Sequence, residues 1–337
     1  MARHQADKVG LAVVGCGNIT ECRHLPAIVS DVQDVELIAL CNRSAGRLDL
    51  LADRYRVPAG NRYTDYHGLL DRNDIHAILI AASPTANYQI ALDAADARKH
   101  VFVEKPMAET SNQARVMVEA VSKAAVKFQV GFNKRFYYAY RKVSELVRDG
   151  CIGVPTGVDA RFWFAPSRRV MPARAQAVVQ NGIHVLDLVQ FVMGPACEVF
   201  ACERVAEGRA TVTATVTFQS GAVGCILLST CGSWDYPNER FDVVGSNGCC
   251  LSTENGRRAV LFMEGRPSQY FEQTISAHWL TANSEAGFAL QLQSFARSIL
   301  SDRPTEVGVH DGLRSILLAE AIERSLETRQ LQAVPQA

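Results

Sequence analysis

Short apolar runs alternate with helical patterns through the first part of the chain. The runs have the length and apolar character of buried strands. The predicted strands are Val9–Val14, Val35–Cys41 and residues 77–81, 100–103 and 128–133, and the predicted helices between them are residues 45–55, 87–98 and 110–125. Strands that alternate with helices predict a parallel sheet with right-handed crossovers, which is an α/β fold.

The hydrophobic pattern changes its period after Val154. Residues 211–217 alternate strictly between threonine and apolar side chains, which predicts a strand with one buried and one polar face. Ser220-Gly221 and Asn247-Gly248 are hairpin signals. The predicted strands are residues 156–164, 197–205, 210–218 and 223–229, and the predicted helices are residues 137–149, 288–300 and 311–328, of which the last two close this half of the chain. We expect an α+β domain with a large, mainly antiparallel sheet that has one open face.

A glycine turn follows the first predicted strand. Its sequence is Gly15-Cys16-Gly17-Asn18-Ile19-Thr20. Glycines at such a turn let the backbone approach a pyrophosphate, whose charge the start of the next helix then stabilises. The turn therefore predicts a dinucleotide-binding Rossmann domain, with Gly15, Gly17, Asn18 and Ile19 as cofactor-binding residues. Thr20 occupies the place of a third glycine, which predicts looser packing between helix and strand.

The end of the second strand predicts which dinucleotide is bound. An NAD enzyme usually carries an acidic residue there, to bind the ribose hydroxyls. This chain has Asn42-Arg43-Ser44 instead, and a guanidinium with a hydroxyl suits a 2′-phosphate. The pattern favours NADP over NAD. The alternative is that Arg43 is a solvated loop residue and that Asn42 binds the ribose.

A charged pair and a proline follow the strand at residues 100–103. They are Glu104-Lys105-Pro106, and they lie where open α/β sheets bind their ligands. A lysine held there, partly shielded from water, can lose its proton and act as an acid or base. The alternative is a solvated surface pair. One strand earlier, the turn at Ser83-Pro84-Thr85 should pass under the nicotinamide ribose.

Together these motifs resemble the Gfo/Idh/MocA family of oxidoreductases. They are Gly15 to Ile19, Ser83-Pro84-Thr85, Glu104-Lys105-Pro106 and Gly131-Phe132-Asn133-Lys134-Arg135-Phe136. The resemblance implies that Lys105 lies between nicotinamide and substrate and that Glu104 is near the cofactor. It also implies that the open sheet face joins subunits into a homodimer or homotetramer. We therefore expect a dinucleotide-binding Rossmann domain over residues 1–130 and a substrate-binding and oligomerisation α+β domain over residues 131–337.

A helix with a histidine and an aspartate supplies the remaining site candidates. His184 and Asp187 are three residues apart and share a helix face. The resemblance implies that His184 faces the substrate beside Lys105 and that Asp187 is a substrate-binding residue. Gln180 stands where many family members carry aspartate, and an amide can hydrogen-bond a hydroxyl but relays no proton. This variation resembles the amide-bearing motif of sugar-nucleotide 3-dehydrogenases, and the resemblance favours a sugar or nucleotide sugar over inositol. Arginines and a tryptophan that precede this helix can hold a phosphate or carboxylate, or they can be solvated; they are Arg161, Trp163, Arg168, Arg169 and Arg174.

Composition and charge exclude several classes of protein. Lys+Arg 35 balance Asp+Glu 35, so we expect neither a nucleic-acid partner nor binding to an anionic membrane. No apolar run has the length of a membrane span, and Met1 to Gln5 do not resemble a signal peptide. The ten cysteines are scattered without a CxxC pair, which predicts reduced thiols in a cytoplasmic enzyme and no metal site.

The function expected from the sequence is NAD(P)-dependent oxidoreduction. Hydride passes between the nicotinamide and a secondary alcohol or ketone of a sugar, nucleotide sugar or cyclitol, with Lys105 and His184 as catalytic residues. Two alternatives stay open. One is a glycoside hydrolase of the same fold that retains NAD, and the other is a nucleotide-binding regulator without turnover.

Overall fold

Six parallel strands form the sheet of the first unit of the chain. The computed structural model describes residues 8–164, 175–233, 238–272 and 287–337, without the side chains of residues 175–178 and 180. The strands are β1 Val9–Val14, β2 Val35–Cys41, β3 Arg62–Tyr63, β4 Ala77–Ile80, β5 His100–Val103 and β6 Phe128–Val130, in the order β3-β2-β1-β4-β5-β6. Every adjacent pair is parallel. The predicted α/β Rossmann architecture is confirmed.

Helices connect these strands. A π-helical turn, Thr20–His24, continues into α1 Leu25–Ser30; the others are α2 Ala45–Arg54, α3 His67–Leu70, α4 Pro84–Asp96 and α5 Ser111–Ala124. Helix α4 begins three residues before the predicted start. Ser83 caps it by accepting a hydrogen bond from the backbone N–H of Ala86, and Pro84 stands at its first position. Both features are typical of a helix start.

A late helix returns to the first sheet. Helix α8, Phe288–Leu300, packs Phe288, Leu292 and Phe295 into the same apolar core as Leu11 and Phe102. The sequence predicted that this helix closes the second half of the chain, and the structure contradicts that prediction. The contacts divide the chain into one unit that runs to Asn133 and takes in residues 287–313, and a second unit that starts at Lys134 and resumes at Arg314.

The second unit is built on a mixed sheet of nine strands. The strands are β7 Pro155–Trp163, β8 Ala196–Ala206, β9 Arg209–Phe218, β10 Val223–Ser229, β11 Glu239–Gly245, β12 Cys249–Glu254, β13 Arg258–Met263, β14 Arg266–Glu272 and β15 Gln332–Ala333, in the order β14-β13-β12-β11-β7-β10-β9-β8-β15. Only β7 and β10 pair in parallel among these described strands. Its helices are α6 Tyr138–Arg148, α7 Ala175–Met193 and most of α9 Val309–Thr328. The predicted, mainly antiparallel sheet is confirmed.

The two faces of this sheet differ. In β9 the buried residues alternate with exposed or half-buried threonines, as the sequence predicted. Helix α7 covers the buried face, where a Cβ on Gly182 would lie 2.4 Å from a methyl group of Leu228. The other face carries apolar side chains, among them Val223, Val244 and Phe262, which are 53%, 48% and 40% exposed.

Across the described residues, no helix combines the length and the apolar character that a membrane span requires.

Candidate active site

The glycine turn after β1 has the geometry of a phosphate-binding turn. Gly15 has φ +101°, and a Cβ there would lie 2.2 Å from the carbonyl oxygen of Ala81. Only glycine fits that position. A Cβ on Gly17 would meet nothing within 4 Å, so the second glycine faces open space into which a ligand can come close to the backbone. Asn18 is exposed, and Ile19 packs against the core.

Thr20 tightens this turn. The residue is fully buried, and its hydroxyl donates a hydrogen bond of 2.6 Å to the carbonyl oxygen of Gly15. The looser packing that the sequence predicted for a threonine in this place is not found, because the hydroxyl ties the helix back to the turn.

A cavity of about 600 Å³ opens beside the turn, at the C-terminal ends of β1, β2 and β4. This volume lies within the usual range for cofactor sites, about 300–1,000 Å³. The lining residues are Val14, Gly15, Cys16, Gly17, Cys41, Asn42, Arg43, Thr64, Asp65, Tyr66, Ala81, Ala82, Ser83, Ala86, Gln89 and Ile90. Apolar walls and the open approach at Gly17 fit a dinucleotide.

Asn42 braces the turn. Its Oδ1 accepts a hydrogen bond of 3.1 Å from the backbone N–H of Cys16, and its Nδ2 donates to the carbonyl oxygen of Ser44 at 3.0 Å. Both ends of the amide are thus engaged with backbone, and a ribose would bind through the second lone pair of Oδ1 or the second N–H of Nδ2. Ser44 is the residue that precedes the first turn of α2. Arg43 is exposed and lines the cavity.

A carboxylate that the sequence argument missed lies in the same cavity. Asp65 follows β3 and accepts hydrogen bonds from the backbone N–H and from the ring Nδ1 of His67, at 3.1 and 2.6 Å. These hydrogen bonds, the backbone one first, hold the pKa of Asp65 below its ordinary value. The cavity therefore holds an ionised carboxylate as well as the Arg43 guanidinium. Asp65 is distant from Arg43 in sequence, and the pairing of β2 with β3 brings their ends together.

Lys105 is half-buried at the C-terminal end of β5. The buried side chain of Asn87 donates from Nδ2 to the carbonyl oxygens of Glu104 and Pro106, at 3.3 and 3.4 Å. The same amide accepts from the backbone N–H of Ala82 through Oδ1, at 3.0 Å. The peptide bond between Lys105 and Pro106 is cis. One side chain thus holds the backbone on both sides of the lysine, and sequence reasoning missed it.

Glu104 faces inward from the same strand end. Only 8% of the residue is exposed, and its Oε1 lies 2.8 Å from Nε2 of the fully buried His24. Its Oε2 accepts a hydrogen bond of 3.1 Å from the backbone N–H of Lys105. His24 is not among the site residues predicted from the sequence. The available signal was its place between the glycine turn and the apolar Leu25-Pro26-Ala27.

In the second unit, His184 is half-buried on α7, one turn from the buried Asp187. Both oxygens of Asp187 accept hydrogen bonds from Arg135, from Nε at 2.7 Å and Nη2 at 2.5 Å. The carboxylate is therefore committed to a buried ion pair, and its contact with substrate stays a prediction. Gln180 belongs to the same helix, but its side chain lies outside the described atoms.

Arg161 and Trp163 are not brought together with His184. Side chains alternate between the faces of a strand. Phe162 pairs in register with Leu228, against which α7 packs, so its neighbours Arg161 and Trp163 lie on the open face. There the Arg161 guanidinium lies 5.1 Å from the centre of the Trp163 ring. The sequence predicted that these two residues bind substrate, and that contact stays a prediction. Arg168, Arg169 and Arg174 lie outside the described residues.

Comparison with known proteins gives consistent matches. A model of an oxidoreductase family with an NAD-binding Rossmann fold matches residues 9–132, and a model of the C-terminal alpha/beta domain of an oxidoreductase family matches residues 144–335. The chain is 26% identical over 313 residues to a myo-inositol 2-dehydrogenase of Thermotoga maritima, and the alignment covers 89% of this chain and 91% of the relative. It is 27% identical over 255 residues to a D-apiose dehydrogenase of Paraburkholderia graminis, and that alignment covers 70% of this chain and 65% of the relative.

A solved structure shares the fold. It is that of an oxidoreductase from Agrobacterium radiobacter in complex with NAD+, L-tartaric acid and magnesium. The TM-score is 0.85 at 20% sequence identity, over 97% of this chain and 98% of that chain. At this identity the likeness shows the architecture alone.

Proposed function

Because the chain belongs to the Gfo/Idh/MocA family of oxidoreductases, as its motifs predicted, we propose that it transfers hydride between a nicotinamide dinucleotide and a secondary alcohol or ketone of a sugar, nucleotide sugar or cyclitol. The observation that carries this proposal is the half-buried Lys105 at the end of β5, in the same unit as the glycine turn and its cavity. Open parallel sheets bind ligands at the carboxyl ends of their strands. The names of the two relatives, an inositol and an apiose dehydrogenase, support the substrate class.

In this proposal the proton moves through Lys105. Its Nζ exchanges the proton of the reacting hydroxyl, while the bound nicotinamide supplies the hydride acceptor or donor. His184 orients the hydroxyl or takes the proton onward, and Gln180 hydrogen-bonds the substrate. Asp187 acts through its ion pair with Arg135, which anchors the helical turn that carries His184.

We propose that the first unit holds the cofactor through three segments. The glycine turn and the helix start would hold the pyrophosphate, and the turn before α4 would hold the nicotinamide ribose. The end of β2 would hold the adenosine ribose, and Glu104 would support the nicotinamide end. The residues concerned are Gly15, Gly17, Asn18, Ile19, Asn42, Arg43, Ser44, Ser83, Pro84, Glu104 and Lys105.

The finer proposal on the cofactor is NADP. It rests on the exposed Arg43 guanidinium at the cavity wall, where a 2′-phosphate can bind. Asp65 is the counterargument, since its ionised carboxylate repels a phosphate and suits the ribose hydroxyls of NAD. The two side chains therefore set the cofactor choice between them, and binding measurements on both decide it.

A substrate screen tests the proposed function. Purified protein is mixed with NAD or NADP and with sugars, cyclitols and nucleotide sugars, and reduced nicotinamide is followed by its absorbance. The reverse reaction is followed with the corresponding ketones. We expect sustained turnover that needs added cofactor. Hydrolysis of a glycoside without added cofactor would favour the hydrolase alternative, and cofactor binding without turnover on any substrate would favour a regulator.

A further inference from the structure

A buried histidine and glutamate lie directly behind Lys105. His24 is fully buried, and Nε2 of its ring is 2.8 Å from Oε1 of Glu104. Within the described residues, Nδ1 of this histidine has no hydrogen-bond partner. A buried N–H that lacks an acceptor costs more free energy than a buried ring nitrogen that carries no hydrogen. We therefore assign the ring hydrogen to Nε2, whose N–H donates a hydrogen bond to Oε1 of Glu104.

The His24 ring is held in one orientation. Phe102 and Phe288 contact it edge to face, with ring centres 5.7 and 5.5 Å away and interplanar angles of 76° and 84°. The residue ends the π-helical turn Thr20–His24, after which the N–H of Leu25 bonds the carbonyl oxygen of Thr20 five residues back. Such wide turns often lie at functional sites. Here the turn ends on the residue whose ring points into the core beneath β5.

The second oxygen of Glu104 reaches the lysine. Oε2 accepts the backbone N–H of Lys105 at 3.1 Å. The opposite side of the carboxylate is closed by Gly131, where a Cβ would lie 3.2 Å from both the carboxyl carbon and Oε1. The carboxylate is thus fixed between a histidine donor, a glycine backbone and the peptide of Lys105.

We propose that His24 is a positioning residue. It acts through Glu104 to hold the Lys105 peptide where the side-chain nitrogen can exchange the hydroxyl proton that accompanies hydride transfer. The role rests on the proposed function, because it assumes that Lys105 carries the proton. Holding a proton carrier in the reactive geometry matters because a misplacement of about 1 Å can cost a factor on the order of 100 in rate. Nothing in the chemistry requires His24 to touch substrate or cofactor.

The first test follows the amide proton of Lys105 and needs no turnover. Its exchange with deuterium is measured by NMR in the wild type, in His24→Phe and in His24→Gln. Phenylalanine fills the aromatic site but has no donor, whereas the side-chain amide of glutamine has an N–H near the position of Nε2. In His24→Phe the hydrogen bond that fixes the Glu104 carboxylate is lost, and with it much of the hold of Oε2 on the Lys105 N–H, so we expect exchange roughly ten-fold faster. In His24→Gln we expect exchange near the wild-type rate.

The second test is kinetic. In His24→Phe we expect kcat to fall roughly 10- to 100-fold, as a displaced proton carrier requires, with cofactor affinity and KM little changed. His24→Gln should recover most of the loss. Gly131→Ala pushes the carboxylate from the other side and should reproduce both effects. Gly60→Ala is the matched control, because a Cβ there meets nothing within 4 Å.

The outcomes separate the inference from the proposed function. If Lys105 exchange is unchanged in both His24→Phe and Gly131→Ala, or if His24→Gln is as impaired as His24→Phe, the positioning role is refuted and the histidine is a packing residue. If His24→Phe does not fold, the comparison of Gly131→Ala with Gly60→Ala decides. If the wild type transfers no hydride in the substrate screen, the proposed function fails, while the exchange experiment still decides whether His24 positions the peptide.

Discussion

Lys105 is the residue on which the proposed chemistry depends, and neighbouring side chains hold its backbone by hydrogen bonds. Glu104 accepts the lysine N–H, and Asn87 binds the carbonyls on either side of it. Glu104 is paired with His24. The adjacent carboxylate is therefore a fixed part of the lysine's surroundings and not a solvated partner.

Replacing this lysine tests the proton transfer. Lys105→Met keeps much of the side-chain length and removes the proton carrier. We expect cofactor affinity to change by a few-fold at most and single-turnover hydride transfer to fall roughly 10²- to 10⁴-fold, the usual contribution of a positioned acid or base. Lys123→Met, on the exposed side of α5, is the control. A near-normal rate in Lys105→Met would remove the lysine from the mechanism.

Substitutions of Arg43 and of Asp65 should have opposite effects on the affinity for NADP. Arg43→Ala should weaken NADP binding by about 1.5–3 kcal/mol, the contribution of a charged hydrogen bond, and leave NAD binding nearly unchanged. Asp65→Asn should strengthen NADP binding, because it removes a negative charge from the same cavity. Titration calorimetry with both cofactors measures these changes, and the exposed Arg303→Ala is the control. Tighter binding of NAD than of NADP by the wild type would contradict the NADP proposal.

At the scale of elements, α4 is tied to the end of β5 by one buried side chain. Asn87→Ala leaves the N–H of Ala82 and two carbonyl oxygens without their partner. We expect a loss of about 1–3 kcal/mol in the free energy of unfolding, as for other buried polar groups left unpaired. Urea denaturation measures it. Gln89→Ala, exposed on the same helix, should change stability by no more than about 0.5 kcal/mol, and equal effects of the two would contradict the assignment.

His100, at the opposite end of β5, should make the stability of the fold depend on pH. Burial, with smaller contributions from Lys127 and His76, lowers the pKa of His100 from 6.5 to about 4. Its Nδ1 accepts the N–H of Lys127 at 3.0 Å, so the folded protein needs the neutral ring. Because the unfolded chain binds the proton more readily, the stability that His100 contributes is complete above pH 6.5 and is lost as the pH falls towards about 4.

A variant isolates this contribution. A second group, Glu323, also makes stability depend on pH and has to be separated from His100. Burial first, and then Glu320 and Glu327, raise the pKa of Glu323 to about 7, so this glutamate stabilises the fold at low pH and its contribution is lost as the pH rises. His100→Asn keeps an acceptor for Lys127 without titrating. The difference in unfolding free energy between variant and wild type should change by on the order of 3 kcal/mol across this window, at about 1.4 kcal/mol per tenfold change in proton affinity. A constant difference would contradict the prediction.

At the scale of the whole molecule, the open face of the nine-stranded sheet is the proposed subunit interface. Val223 and Val244 occupy one row across the sheet through Gly157, and Phe262 continues that row through Cys250. Exposed apolar groups in a contiguous row favour burial against a partner. We expect light scattering to show a homodimer or homotetramer at micromolar concentration. Val244→Arg should shift the protein towards monomer, whereas Val116→Arg on α5, a site of similar exposure at 44%, should not. A monomeric wild type would refute the interface.

The sequence by itself predicted most elements of the first unit, four strands of the second unit and two candidate sites, while β3 and β11 to β15 were not among its predicted strands. Alternating strands and helices, the glycine turn and the charged pair after β5 are local patterns, and hydrophobic periodicity reports which face of an element is buried. The alternation in β9 likewise predicted a two-faced sheet. These features survive in the structure because each depends on residues close together in the chain.

Only the tertiary structure decided which distant residues pack against each buried face. His24 and Glu104 are 80 residues apart, α8 packs against a sheet whose last strand ends long before it, and Asp65 reaches the cavity of Arg43 through strand pairing. Arg161 and Trp163 lie near α7 in the sequence, but strand alternation turns them to the face of the sheet opposite this helix. Periodicity specifies that a side chain is buried and not the partner that buries it, since that partner is chosen by long-range packing and register.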